Sequence, residues 1–122
     1  MNKLEYIRFL NGDIVYIHGS VRVISSCDGY YATYYDEDET LQEVNVNVIE
    51  GIPLTTAILE KNGWEHKDDV YFKDYPQRKL VIYDDKAYII NESCSLFLCK
   101  VEFVHQLQHL LFGLGLNSEM EV

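Results

Sequence analysis

Two histidines, His105 and His109, stand four residues apart on a segment with helical periodicity, with Glu102 three residues before the first. That spacing places them on one helix face, as in many metal sites. Position 106 is Gln, so the His-Glu-x-x-His arrangement of a zinc protease is missing. We therefore expect ordinary polar helix positions and no metal or other cofactor. His105, Gln106 and Gln108 form a polar edge beside a leucine stripe. Buried amides and imidazoles need partners. The edge either bonds a neighbouring strand or loop, or forms the polar wall of a pocket that reads a base edge or a hydroxyl group. Arg22 and Arg78 are the cations best suited to hold a phosphate. Ten tyrosines occur, with Tyr30, Tyr31, Tyr34 and Tyr35 inside six residues. On a strand they divide between two faces, so one set goes to the core and the other offers rings to a base or a protein. The candidate ligand-binding set is Arg22, Tyr31, Tyr34, Arg78, His105 and Gln108. No glycine-rich phosphate loop or nucleophile elbow is present, and the paired carboxylates fall in turn-like segments where solvent keeps them ordinary. Enzymatic activity is not expected.

The elements that must position these residues read in three parts. Up to about Ile49 the pattern is strand-like. Gly12-Asp13 and Gly19-Ser20 mark turns, Asp28-Gly29 is the strongest hairpin signal, and Asp36 to Glu39 reads as a solvated loop. Val44 to Val48 alternates apolar and polar and reads as one more strand. A short helix follows over 53–62, with a threonine cap and an Asn62-Gly63 stop, and Trp64 packs back on its end. Strands are expected within 70–98, the last two of the inner group joined at Asp84-Asp85-Lys86. The closing helix, 101–114, carries Val101, Val104, Leu107, Leu110, Leu111 and Leu114 on one stripe. The tail from Asn117 should fray. The fold expected is α+β: an antiparallel, possibly curled sheet with a short middle helix and an amphipathic C-terminal helix packed on it, all in one domain over 1–122.

The chain of 122 residues has a net charge of −10, which opposes binding to a nucleic-acid backbone. No apolar stretch is long enough to span a bilayer. Glu5 stands where the apolar run of a signal peptide would begin, so export by that route is not expected. Three cysteines, Cys27, Cys94 and Cys99, have no framework spacing and read as free thiols of a reducing cytoplasm.

Three segments, in order, are Gly12-Asp13-Ile14-Val15, then Ile52-Pro53-Leu54-Thr55 with Leu59 and Gly63-Trp64, and finally Val104-His105-Gln106-Leu107-Gln108-His109-Leu110-Leu111-Phe112-Gly113-Leu114. Together they resemble a family of small uncharacterised proteins of bacteriophages and mobile elements of gut anaerobic bacteria, which close on a V-H-Q-L-Q-N-L-Y-F-A-L-T-G helix. His109, Leu111 and Gly113 depart from that pattern. The resemblance implies an accessory protein of the host bacterial cytoplasm. The expectation is non-enzymatic binding, with a host nucleotide immune signal as ligand and a homo-oligomer as the working form. A protein that inhibits a host factor through its acidic surface, and a hydrolase of the same signals, are the competing readings.

Overall fold

The computed structural model describes residues 9–122 of the chain. The protein is α+β, with open antiparallel sheets and a C-terminal helix. The described residues fall into two compact units, the first ending at Ile52 and the second spanning Pro53–Val122. The buried apolar residues likewise form two clusters, one in each unit.

In the first unit, β1 (Ile14–Ile17) and β2 (Ser20–Val23) pair through a turn in which both His18 and Gly19 have positive φ, 51° and 79°. That is the twist a two-residue hairpin requires. The strand β6 (Ile49–Gly51) lies on the other side of β1. A second sheet runs β3 (Ser26–Cys27), β4 (Tyr31–Tyr35), β5 (Leu41–Asn45). Asp28 makes the β3–β4 turn, its Oδ1 accepting from the backbone N–H groups of Tyr30 and Tyr31 at 2.8 Å each. Val15, Ile17, Ile24, Ala32, Tyr34 and Val46 lie in the core. The alternation from Val44 to Val48 does not form one strand. β5 ends at Asn45, whose side chain accepts from Asn47 N at 2.9 Å and starts a single 3-10 turn, Val46–Val48. An asparagine offering its own backbone a local partner competes with the ladder and wins here.

The second unit is a five-stranded meander in the order β11-β10-β9-β8-β7. The strands are β7 (Glu65–Lys67), β8 (Val70–Tyr75), β9 (Arg78–Tyr83), β10 (Lys86–Ile90) and β11 (Ser95–Lys100). The helix α1 spans Thr56–Lys61, with Thr55 capping Ile58 N. It ends in a Schellman turn: Trp64 N donates to Leu59 O and Gly63 N to Glu60 O, with Gly63 at φ 86°. The second helix, α2, spans Val104–Gly113, shorter than the periodicity suggested. The Val101 N–H donates to Asp85 O at 2.7 Å and Phe103 bridges Pro53, so residues 101–103 of the expected helix stay outside it. Leu107 and Leu111 join Leu59, Trp64, Leu80, Ile82 and Ala87 in the core. The tail does not fray. The Asn62 side chain accepts from Glu121 N at 2.8 Å and donates to Glu121 O at 2.7 Å, and Met120 packs on the core.

Candidate functional site

On β9 the residues Arg78, Leu80 and Ile82 share one face, and the ladders add Tyr75, Lys73 and Tyr71 from β8 and Ile89 and Ala87 from β10. Over most of this face the side chains go to the core. Near the β8–β9 turn the cover runs out. There an open groove of about 550 Å³ is lined by Tyr75, Pro76, Gln77, Arg78, Ile89, Asn91 and Leu116.

Each lining residue has a local cause. Pro76 and Gln77 form the two-residue β8–β9 turn, because Tyr75 pairs with Arg78. Gln77 has φ 69°, in the left-handed region that a residue with a Cβ enters at a cost. Asn91 organises the bend after β10: its Oδ1 accepts from Ser93 N and Cys94 N at 3.1 Å each. That leaves the Asn91 amide nitrogen as a donor. Leu116 is brought in by a Schellman turn at the end of α2, where its N–H donates to Leu111 O at 2.9 Å and Gly115 has φ 73°.

Arg78 is half-buried and its Nη2 donates to Leu114 O at 3.2 Å. A cation at a helix C-terminus is favourable there. Among the described residues no carboxylate lies within ion-pair distance of it, whereas Lys79, Lys86 and Lys100 reach Asp74, Asp84 and Glu102. One of its five N–H donors is engaged, and the fork can still take an anion. Burial pushes the Tyr75 phenol up, and Arg78 offsets part of that, so the hydroxyl stays a proton donor at neutral pH. Lys73 lies 5.8 Å from the Tyr75 ring centre and donates to Asn62 O at 2.9 Å. The lining therefore offers a guanidinium, a phenol and two amides beside the apolar Ile89 and Leu116. It contains no carboxylate, imidazole, thiol or aliphatic hydroxyl.

No family model, curated protein or solved structure matches the chain. The site has to be judged on its own chemistry.

Of the residues expected from sequence, Arg78 alone lines the groove. Arg22 is in the first unit, bound to Glu37 at 2.6 Å and lying 5.4 Å from the Tyr34 ring centre. The Glu37 carboxylate raises the already high Arg22 pKa further. Arg22 and Tyr34 are thus brought together, but as a mutual packing pair: Tyr34 belongs to the core of that unit. Tyr31 faces the other way and is exposed. His105 and Gln108 are buried on α2. His105 stacks on Phe103 at 5.9 Å and meets His109 edge-on at 5.8 Å. Gln108 donates to Ser118 O at 3.3 Å and so helps hold the tail. Gln106 reaches back to accept from Glu102 N at 2.7 Å and Phe103 N at 3.1 Å, starting the helix. No group of three His, Cys, Asp or Glu able to hold a metal occurs among the described residues. The same residues include no helix long and apolar enough to cross a membrane.

Sequence reasoning missed Tyr75, Gln77, Asn91 and Leu116. The visible signal was Pro76 two residues before Arg78: a proline at the first position of a turn sets two strand ends side by side. The approach of Asn91 and Leu116 has no local signal.

Proposed function

We propose that this chain is a non-enzymatic binding protein that holds a small anionic, ring-bearing molecule in the Arg78 groove. In the setting that the resemblance implies, a phage or mobile-element accessory protein, the ligand is a host-made nucleotide immune signal. Holding that signal counters host defence by sequestration. The observation that carries the reading is Arg78, a half-buried guanidinium without a carboxylate partner among the described residues, on the wall of a groove that the apolar Ile89 and Leu116 also line. A volume of about 550 Å³ falls within the range of about 300–1,000 Å³ usual for small-molecule sites. Arg78 and the Tyr75 hydroxyl suit a phosphate, and Asn91 suits a base edge. A lining without carboxylate, imidazole, thiol or aliphatic hydroxyl favours retention over turnover.

The test is to incubate the protein with a mixture of mono-, di- and cyclic nucleotides, remove unbound material, denature the protein and identify what is released. Intact nucleotide from the wild type, and at least tenfold less from Arg78→Ala and Asn91→Ala of unchanged melting temperature, is the expected result. Nothing released, or equal release from both variants, refutes the groove as the site. A cleaved product would turn the reading to a hydrolase.

A further inference from the structure

The residues 1–52 hold nine Asp and Glu against three Lys and Arg, a net charge of −6, while 53–122 hold eleven against seven, a net charge of −4. Most of the chain's acidity thus belongs to the first unit, whose single described arginine is already bound to Glu37. The same unit exposes aromatic surface on one sheet face. Opposed residues of an antiparallel pair share a face. The outward set of β4 and β5 is therefore Tyr31 opposite Asn45, Thr33 opposite Glu43, and Tyr35 opposite Leu41. Tyr31 is 48% exposed, Tyr35 59% and Leu41 53%, and Tyr30 in the preceding turn 49%. At the Tyr35 end, the turn between β4 and β5 carries Asp36 to Glu39. Among the described residues no cation lies within ion-pair distance of Asp38, Glu39 or Glu43.

We infer that this outer face of the β3–β4–β5 sheet docks a cationic, arginine-rich segment of another protein. Rings exposed among uncompensated carboxylates are what a guanidinium seeks, since it stacks on the ring and pairs with the acid. The inner face of the same strand already makes that contact: Arg22 lies over Tyr34 and its Nη2 pairs with Glu37 Oε1. The outer face repeats the ingredients without an arginine among the described residues. Tyr31 and Tyr35 are four residues apart, about 13 Å along a strand, so an extended partner would set cations at every fourth residue. The inference does not rest on the groove, which lies in the other unit.

The test is fluorescence anisotropy with labelled nona-arginine, nona-lysine and nona-glutamate peptides. Nona-arginine should bind most tightly, nona-lysine more weakly and nona-glutamate not at all. Raising salt from 50 to 300 mM should weaken the arginine complex by roughly tenfold. The double variant Tyr31→Ala/Tyr35→Ala should lose a further five- to thirtyfold, roughly the worth of two exposed cation–ring contacts. Arg78→Ala should bind as the wild type does. No arginine binding at 100 µM peptide overturns the inference. Equal binding by the double variant also overturns it, since diffuse charge alone would then account for the affinity. If the double variant loses its circular dichroism, the wild type's tyrosine ring resonances decide the matter: shifts on titration at Tyr31 and Tyr35 support the site, and shifts confined elsewhere overturn it.

Discussion

Asn62 holds both the end of α1 and the last residues of the chain, so replacing it with alanine isolates what that clamp is worth. Its Oδ1 accepts from Glu121 N at 2.8 Å, and its Nδ2 donates to Glu121 O at 2.7 Å and to Ile58 O at 2.8 Å. Its φ is −99°, so alanine takes the position without backbone strain, and the carbonyl that receives Lys73 stays in place. Three hydrogen bonds at a net value of about 0.5–1.5 kcal/mol each set an upper bound of about 4.5 kcal/mol. The two bonds to Glu121 are exposed and water replaces them in part, so about 1–3 kcal/mol is expected. In a unit of this size that lowers the melting temperature by about 4–8 °C per kcal/mol. Thermal unfolding followed by circular dichroism measures the loss, and amide exchange at Glu121 reports the clamp itself. Asn62→Asp keeps the acceptor but sets a carboxylate oxygen against the Ile58 and Glu121 carbonyls at a helix C-terminus, and should cost at least as much as alanine. A melting temperature within 1 °C of wild type, with Glu121 exchange unchanged, would refute the reasoning and return the tail to the frayed segment its polarity suggests.

Two further outcomes follow from backbone strain and from charge. Gln77→Gly relieves a left-handed φ of 69° at the groove rim and should raise stability by roughly 0.5–1 kcal/mol, the αL penalty less the extra chain entropy of glycine; a drop in the urea midpoint would show that the Gln77 side chain contributes more than its backbone costs. The Asp36 carboxyl is held below the usual carboxylate range, first by the Thr40 N–H and then by the Gln42 amide. A folded-state pKa below the unfolded one gives stability that is present above the ordinary value and lost as pH falls through the folded value. The β4–β5 turn should therefore loosen below about pH 4, and Asp36→Asn should flatten the pH dependence of its amide exchange between pH 5 and 2; an unchanged profile would count against that role.

Elements were legible in the sequence where a local group settles the backbone. Asp28 folds its own turn, Thr55 caps α1, and Asn62-Gly63-Trp64 ends it. They were illegible where a distant partner decides. Glu65, His66 and Lys67 have no strand pattern, yet they form β7 because Phe72, Tyr71 and Val70 are there to pair with them. Ile49 to Gly51 becomes β6 only because β1 has a free edge for it. The valine alternation up to Val48 misled in the opposite direction, since Asn45 and Asn47, read as outward strand positions, instead build a turn. The polar edge of the last helix, His105, Gln106 and Gln108, could be named from sequence as residues but not by what they bond. Its partners, backbone groups at Glu102, Phe103 and Ser118, make Gln106 and Gln108 parts of the scaffold.

The two arginines show why residue type alone could not locate the site. Both sit on strands, and sequence gave them equal standing as anion holders. Arg22 faces a loop of four consecutive acids, and one of these, Glu37, closes on it at 2.6 Å. An incoming phosphate would have to displace a carboxylate already seated, and in an acidic unit that exchange gains little. Arg78 follows a proline turn and meets instead the carbonyl end of a helix, a partial negative charge that orients the guanidinium without saturating it. The strand tyrosines divide by the same logic. Tyr34 lies inward beneath Arg22, while Tyr31 and Tyr35 lie outward beside Asp38, Glu39 and Glu43, for which no cation among the described residues is within ion-pair distance. What each side chain can still bind is therefore set by which charges its fold has already placed beside it.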